Sequence, residues 1–278
     1  LAITTISFDI SVLEIFATLS VGGTVLLAST ESVQDAGALI QMIERYPITL
    51  LQATPATWHM LLDYGWQGSQ DIVALSGGDT LSPELAKRLH AGFHKVWNVY
   101  GPTEATVWAT AQHVIDVDKP IGIGQALANY SLHLFDEHMQ RVPKGRIGRL
   151  FIGGHALAKG YRHRPDLTSQ RFVMIKGIRL YDTGDFARIR YDDSLEYLGR
   201  QDNQVKLRGH RMELGELESR ASDHSSIAQA VAIVREDKAG DQRLVLYIKL
   251  HPTGTYDEQN LKIHLKMTLP HYMLPNHI

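Results

Sequence analysis

The chain has 278 residues, of which 44% are hydrophobic, and this is enough for one large domain or for one large and one small domain. Its formal net charge of −2 at pH 7 gives no support for a nucleic-acid or anionic-membrane partner, and no apolar run is long enough to span a bilayer. The absence of cysteine excludes disulfides, thiolate metal sites and a cysteine nucleophile, and it fits a cytoplasmic location.

Strand and helix patterns alternate over residues 1–113. Short apolar runs predict buried strands at 24–28, 48–51, 72–76 and 96–99. Helices are predicted before and between them, from about Asp9, over 35–45, and from Pro55 and Pro83. This alternation is typical of a doubly wound, mostly parallel α/β sheet.

Small and polar residues follow three of the predicted strands. Gln52, the pair Gly77-Gly78 and the segment 100–104 each lie just past a strand end. Because ligands of such sheets bind beyond the carboxyl ends of the strands, we expect these residues to line one crevice. In the last segment, Thr103 and Glu104 follow a Gly-Pro turn and could form a small polar site. A purely structural turn between two buried strands explains the segment equally well.

The pattern changes over residues 114–201, where short strands separated by Gly and Pro predict a small, mostly antiparallel β unit. These strands are predicted at 131–135, 147–153, 179–180, 184–189 and 195–198, with a short helix from Arg164. The segment 179–185 places Asp182 and Asp185 at the mouth of this unit, and composition favours ordinary turn residues there.

A polar, turn-rich segment at 199–203 predicts a domain boundary, and residues 202–278 are expected to form a compact α+β unit. Its predicted elements are a strand at 204–208, a turn at 209–211, a helix at 213–222, strands at 228–235 and 243–250, and a helix at 257–268. The first of these strands and the following turn carry a basic cluster, which consists of Lys206, Arg208, His210 and Arg211. We interpret the cluster as an exposed strand edge, since no aromatic residues alternate with it to stack on nucleic-acid bases.

Six short motifs follow one another along nearly the whole chain. They are 8–11, 98–104, 154–161 with Arg164-Pro165, 181–185, 199–209 and 269–275. Together they resemble the amino-acid adenylation domains of nonribosomal peptide synthetases, within the superfamily that also contains acyl-CoA synthetases and firefly-type luciferases. Two motifs of that family, a phosphate loop and a catalytic-lysine motif, are expected before residue 1 and after residue 278. Arg149 and Phe186 depart from the Glu and Leu that are usual in the family.

The resemblance implies that a carboxylate and ATP give an acyl-AMP and pyrophosphate, with Mg²⁺ bridging phosphates. The acyl group would then pass to the phosphopantetheine thiol of a peptidyl carrier domain, in a synthetase that also contains a condensation domain. Residues 1–201 would be part of the large domain and 202–278 part of the small domain, with a hinge at 200–203. The small domain would rotate about Asp202 between the two half-reactions.

The resemblance also assigns roles by motif position. The residues implied in catalysis are Thr103, Glu104, Arg200 and Lys206, with Glu104 also the Mg²⁺ ligand. The residues implied at the nucleotide are Asn98, Tyr100, Asp185, Tyr197 and Gly78. Tyr100 would stack on adenine, and Asp185 would accept from both ribose hydroxyls, as an ionised carboxylate can.

The implied amino-acid pocket begins with Asp9, whose carboxylate would pair with the substrate's α-ammonium; a helix cap is its other interpretation. The remaining pocket positions are Ile10, Leu13, Gln52, Leu75, Gly77, Val99, Val107 and Trp108. A bulky Trp108 would fill the floor and leave room for a very small side chain, which favours glycine, then alanine. Alternatively, Trp108 is an ordinary core residue on an apolar strand.

Three alternatives remain open from the sequence. A ligase of the same superfamily could use CoA as its thiol acceptor, although Asp9 argues against this. The chain could be a nucleotide-binding module without catalysis, because both lysine-bearing motifs are missing. A Rossmann dehydrogenase is disfavoured, since Gly122 and Gly124 lack the third glycine that its phosphate-binding turn needs.

Overall fold

The computed structural model describes residues 1–200, 204–207, 209–236, 242–252 and 254–278. The chain divides into two compact units, Leu1–Gln201 and Asp202–Ile278. The division falls within the polar segment at 199–203. The predicted hinge residue Asp202 and the predicted strand end at Arg208 lie outside the described residues.

The first unit begins with a five-stranded mixed sheet. Its strands are β1 (Leu50–Ala53), β2 (Val73–Gly77), β3 (Lys95–Tyr100), β4 (Thr110–His113) and β5 (Gln125–Ala126), in that order. The first three are parallel, and β4 and β5 continue the sheet in antiparallel orientation. The sheet therefore extends past residue 113, where the sequence suggested a change of architecture, because β5 pairs with β4 across the intervening loop.

Five helices of the described chain accompany this sheet. They are α1 over 11–20, α2 (Thr30–Gln34), α3 (Ala36–Arg45), α4 (Pro55–Asp63) and α5 (Pro83–Gly92). Thr54 and Ser82 each accept a hydrogen bond from the backbone N–H three residues on, with proline in the next position, as expected of N-caps. The middle of α1, Leu13–Ala17, has π-helical hydrogen bonding.

Alternation along the strands gives the sheet two different faces. One face contributes Leu51, Ala74 and Val96 to the main apolar core, where they meet side chains of α3, α4 and α5. The other face carries four of the predicted pocket residues, which are Gln52, Leu75, Gly77 and Val99. The α/β prediction is confirmed, and the strand period assigns core and pocket to opposite faces.

The predicted buried strand at 24–28 is wrong. This segment forms only an isolated parallel bridge, between Leu27 and Ala2, and the Leu27 side chain is 66% exposed. Its apolar composition favours a strand, but a strand needs a paired neighbour, and the described residues offer it only Ala2.

The rest of the first unit is a second, antiparallel sheet. Its strands are β6 (Tyr130–Phe135), β7 (Ile147–Gly154), β8 (Phe172–Ile175), β9 (Ile178–Ile189) and β10 (Leu195–Arg200), in the order β10-β9-β7-β6 with β8 beside β9. Helix α6 (Pro165–Arg171) precedes β8. The interpretation of Asp182 and Asp185 as turn residues is wrong, because both lie inside the continuous strand β9.

The second unit is α+β, as predicted. It contains β11 (Gln204–Leu207), β12 (His210–Glu213), α7 (Leu214–Ser222), β13 (Ile227–Glu236), β14 (Gln242–Leu250) and α8 (Glu258–Thr268) around its own apolar core. The predicted turn at 209–211 is reduced to Gly209, since His210 already pairs with Leu207 across the hairpin. None of the helices in the described parts of the chain has the length and apolar character needed to cross a bilayer.

Candidate active site

The turn after β3 is a compact, strained loop. Thr103–Ala105 forms a 3₁₀ turn, after which Thr106 and Val107 take left-handed backbone angles, with φ of 58° and 66°. Such angles are unfavourable for β-branched residues and occur where the surrounding structure imposes them. A Cβ on Gly101 would lie 2.2 Å from the Val107 carbonyl oxygen, so the loop can fold back only onto a glycine.

Side chains and backbone from residues 156–161 fix this turn. The backbone N–H of Ala158 donates to the Glu104 carbonyl at 2.8 Å, and the Thr106 hydroxyl donates to the Ala156 carbonyl at 2.6 Å. The Tyr161 hydroxyl donates to Glu104 Oε1 at 2.6 Å. Burial and then this hydrogen bond raise the pKa of Tyr161 well above its ordinary value, so it stays a donor at neutral pH. Sequence reasoning assigned no role to Tyr161, although it lies in the motif at 154–161.

A buried carboxylate lies at the carboxyl end of β3. Asp185, 3% exposed, accepts a hydrogen bond from Arg200 Nη1 at 2.7 Å and another from the Tyr100 hydroxyl. Burial and then the charge of Asp185 raise the pKa of Tyr100, which keeps that hydroxyl protonated. The ring of Tyr197 lies 6.3 Å from that of Tyr100. Four predicted nucleotide and catalytic residues are thus neighbours, and we call them the nucleotide cluster.

A bulge in β9 presents Asp185 to this cluster. In the register with β7, Phe151 pairs with Asp182 and Arg149 with Phe186, so residues 183–185 lie opposite Leu150 alone. The Thr183 hydroxyl donates to the Leu150 carbonyl at 2.8 Å and accepts from the Asp185 N–H at 3.0 Å. Thr183 therefore holds the bulge closed, and its place in the 181–185 motif was the available sequence signal for this role.

Asp182 closes the other end of the bulge. Its carboxylate, 3% exposed, accepts from Arg149 Nε at 3.0 Å and from the Gly184 N–H at 3.1 Å. A second guanidinium, of Arg171, lies 4.0 Å away. Arg149, one of the two residues that depart from the family pattern, therefore has a specific partner in this chain.

Asn98 and Gly78 border the same strand ends. The buried Asn98 amide donates to the Gly122 carbonyl at 2.7 Å, which ties β3 to the loop before β5. Gly78 follows β2 directly, with a φ of 83° that favours glycine. No contact between either residue and the Asp185 carboxylate is seen in the described structure.

Predicted pocket residues meet on the other face of the sheet. Ile10, Val99, Val107 and Trp108 form one buried cluster, with Leu13 packed against it. A Cβ on Gly77 would lie 2.5 Å from Trp108 Cη2 and 2.6 Å from Val99 Cγ2, so the indole lies directly over Gly77. We call this group, with Gln52, the amino-acid cluster. The indole thus occupies the space above Gly77.

Leu13, Gln52 and Leu75 also border a separate cavity of about 480 Å³, bounded by α1, the segment after it and β1. The other predicted pocket residues do not line it. Gln52 belongs to both regions, since its amide contacts Ile10 and Trp108 on the pocket side. The predicted pocket set is therefore brought together around Gln52, with Leu75 at its edge.

Asp9 is half-buried beside this cluster, next to Phe8 and Ile10. Its backbone carbonyl accepts from the Val12 N–H at 3.0 Å, whereas its carboxylate has no hydrogen bond or ion pair within the described residues. The interpretation of the Asp9 carboxylate as a helix cap is therefore not supported. Lys206 lies in the second unit, on β11 opposite Arg211.

Comparison with known proteins identifies the family. A family model described as AMP-binding enzyme matches residues 1–162. The chain belongs to this family. It is 41% identical over 281 residues to a dimodular nonribosomal peptide synthase of Bacillus subtilis, a match that covers 99% of the chain and 12% of that protein. The chain thus spans about an eighth of the length of this relative.

Two solved structures support the assignment to the AMP-binding enzymes. A four-domain nonribosomal peptide synthetase, AB3403, bound to AMP and glycine, is 42% identical with a TM-score of 0.71, over 99% of this chain and 21% of that one. PA1221, a nonribosomal peptide synthetase protein with adenylation and PCP domains, is 29% identical with a TM-score of 0.82, over 99% and 49%. The family resemblance seen in the motifs is confirmed.

Proposed function

We propose that this chain is part of an amino-acid adenylation domain, which activates a small amino acid with ATP and passes it to a carrier-bound phosphopantetheine thiol. The observation that carries the proposal is the position of two clusters on neighbouring residues of one strand. Val99 belongs to the apolar amino-acid cluster, and Tyr100 donates to the buried carboxylate of Asp185. A ligand at each would bring a carboxylate and a nucleotide together at the end of β3.

ATP would bind at the nucleotide cluster. Asp185 would accept from both ribose hydroxyls, in exchange for the hydrogen bonds it now accepts from Tyr100 and Arg200. Tyr100 would then stack on adenine, with Gly78 and Asn98 at its edge and Tyr197 beside the ribose. Arg200, whose side chain is only 8% exposed, would contact ribose and phosphate. Its positive charge would stabilise the negative charge that develops as the substrate carboxylate oxygen attacks the α-phosphorus and pyrophosphate leaves.

Thr103 and Glu104 suit the phosphates and a Mg²⁺ ion. Mg²⁺ typically takes only one or two protein carboxylates and completes its shell with phosphate oxygens and water. Glu104 offers one such carboxylate, fixed by Tyr161 at 2.6 Å, and the described residues contain no cluster of three or more metal-binding side chains. The donor set therefore fits a phosphate-bound Mg²⁺. When bound, the ion would neutralise phosphate charge, while the exposed Thr103 hydroxyl would contact a phosphate oxygen.

Glycine is the proposed substrate, with alanine second. The half-buried Asp9 carboxylate, which has no hydrogen-bond or ion-pair partner among the described residues, would receive the α-ammonium group, because a partly desolvated charge favours an opposite one. The indole of Trp108 over Gly77 would leave no space for a larger side chain. The relative AB3403 has glycine and AMP in its own structure, and this agrees with the proposal.

The partners proposed for the whole protein are a peptidyl carrier domain and a condensation domain, as the resemblance implies. Asp202 would serve as the hinge, and Lys206 would face the site when the small domain turns for thiol transfer. PA1221, which combines adenylation and PCP domains, offers a precedent for a carrier on the same chain.

Amino-acid-dependent exchange of pyrophosphate into ATP tests the proposal, in the natural protein that contains this chain. We expect exchange to be strongest with glycine, weaker with alanine and to require Mg²⁺. Transfer should then label a phosphopantetheine-loaded carrier domain in preference to free CoA. Exchange that is independent of amino acids, or transfer to CoA alone, would contradict it.

A further inference from the structure

Glu14 is a buried carboxylate that no predicted role explains. It is 5% exposed and lies in the π-helical part of α1. Oε2 accepts from the backbone N–H groups of Ile3 and Thr4, both at 3.0 Å. Oε1 accepts from the Thr4 hydroxyl at 2.6 Å and from Gln52 Nε2 at 3.0 Å. All four of these hydrogen bonds come from neutral donors, and they satisfy both oxygens of the buried carboxyl group.

The contact with Gln52 fixes which way the Gln52 amide points. Gln52, 1% exposed, donates from Nε2 to two acceptors, the Ile10 carbonyl at 3.0 Å and Glu14 Oε1. Its Oε1 accepts from Trp108 Nε1 at 2.8 Å. A flipped amide would place oxygen against both acceptors and N–H against the indole N–H, so only the observed orientation satisfies all three partners.

The oriented Gln52 in turn holds the indole of Trp108. The indole N–H is a donor only, so a buried indole in this position needs an acceptor. The Gln52 oxygen is that acceptor, and the far edge of the ring then lies over Gly77, where an added Cβ would be 2.5 Å from Cη2. The chain of contacts thus runs from Glu14 through Gln52 to the floor of the amino-acid cluster.

We propose that Glu14 is a positioning residue for substrate selection, which locks Trp108 across the pocket and so sets the glycine limit. The inference rests on the proposed function, because it concerns the amino-acid pocket of that same site. Glu14 touches no substrate. It acts by allowing a single orientation of the Gln52 amide, and the indole is pinned only in that orientation.

Replacement of Glu14 by Gln tests this because the shape stays the same. The new amide oxygen can still accept from Ile3 and Thr4, but its NH₂ group then faces the NH₂ group of Gln52. Gln52 must lose that partner or flip, and a flipped amide no longer accepts from Trp108. We expect the ratio of kcat/KM for glycine over alanine to fall by about tenfold, the size of effect that one methylene produces in an apolar pocket.

Two further variants separate positioning from a general loss of stability. Leu89→Ala, in the helix-side core, should lower thermal stability without changing the glycine-to-alanine ratio. Trp108→Phe removes the indole N–H, and it should lower the glycine-to-alanine ratio of kcat/KM even though Glu14 is unchanged. In a Trp108→Phe background, Glu14→Gln should then have no additional effect on the ratio, because the contact it acts through is gone.

The outcomes are distinct. An unchanged ratio in Glu14→Gln or in Trp108→Phe would overturn the inference and leave Glu14 as an anchor of residues 3–4 only, even if both variants are less stable. If Glu14→Gln does not fold, the ratio of Trp108→Phe alone decides. Absence of amino-acid-dependent exchange in the unmodified protein would instead remove the proposed function, and the inference with it.

Discussion

The nucleotide cluster and the amino-acid cluster start from adjacent residues of β3 but are built on opposite physical principles. Around Tyr100, a buried carboxylate is paired with a guanidinium, and the Arg200 and Asp185 side chains are 8% and 4% exposed. Around Val99, the packed side chains are apolar, and the Trp108 indole N–H donates to the Gln52 amide oxygen.

The nucleotide cluster would bind its ligand by attraction, whereas the amino-acid cluster would select its ligand by steric exclusion. A nucleotide offers hydroxyls and phosphates, which fixed charges and hydrogen-bond acceptors can bind in a site shielded from water. A glycine side chain offers nothing to bind, so a pocket can select it only by leaving no room for anything larger. Changes in the first cluster should therefore affect every amino acid equally, and changes in the second should affect the choice among them.

The largest expected effect is the loss of the Asp185 carboxylate. Asp185→Ala removes the proposed ribose acceptor and leaves the buried Arg200 guanidinium without its partner at 2.7 Å. We expect pyrophosphate exchange to fall by on the order of 10²-fold or more, by the same factor for glycine and alanine. Asp192→Ala, at an exposed turn where the carboxylate accepts from Ser194, is the control and should keep its activity. Unchanged exchange in Asp185→Ala would refute the ribose assignment.

Trp108→Gly should change the preference among amino acids and leave the use of ATP unchanged. Removal of the indole opens the space above Gly77, so exchange with larger amino acids should rise relative to glycine, by about 10- to 100-fold. The KM for ATP should change little, because the nucleotide cluster is untouched. Exchange profiles across the amino acids, measured at fixed ATP, provide the check. An unmodified protein that already prefers an aromatic amino acid would contradict the filled-pocket argument.

The sequence could predict those features that depend on residues close together in the chain. The strand period placed Gln52, Leu75, Gly77 and Val99 on one face correctly, because alternation is a local property. The proline and hydroxyl signals at Thr54 and Ser82 located two helix starts for the same reason. Sequence reasoning thus recovered most of the α/β architecture.

What it missed depends on contacts between distant residues. The segment 24–28 is apolar enough for a strand but finds little to pair with, and the bulge at 183–185 exists only through its register with β7. Glu14 stands in an apolar helical run, and that single charge was the available signal. Its partner Gln52 is 38 residues away, and Trp108 is 56 residues from Gln52, so the network could not be read locally.

Removal of Arg149 should reduce stability more than it alters the chemistry. In Arg149→Gln, the buried Asp182 loses the Arg149 guanidinium and keeps that of Arg171 at 4.0 Å. Since the Arg149 side chain is 36% exposed, we discount the usual cost of a broken buried pair and expect a loss of about 1–3 kcal/mol in the free energy of unfolding. Urea unfolding measures this change.

The exposed pair of Arg164 and Asp166 provides the matched control, and Arg164→Gln should leave the urea midpoint nearly unchanged. Because Asp182 also accepts from the Gly184 N–H, the bulge should loosen in Arg149→Gln, and the KM for ATP should rise without a change in amino-acid preference. A changed preference, with ATP binding intact, would break the proposed separation of the two clusters.

The smallest expected effect lies outside both clusters, in the second unit. The ring of His210 stacks on Tyr272, with centroids 4.2 Å apart and planes 4° apart, and burial lowers the pKa of His210 below its ordinary 6.5. Below about pH 6.5 the unfolded chain therefore takes up a proton that the folded unit resists. The stabilising contribution is complete above that pH and is lost as the pH falls through the folded pKa. His210→Phe keeps the stacked ring but cannot titrate, so its urea midpoint should fall less than that of the unmodified protein between pH 7.5 and pH 5. Equal declines of the two urea midpoints over this pH range would show that His210 does not contribute to the acid sensitivity.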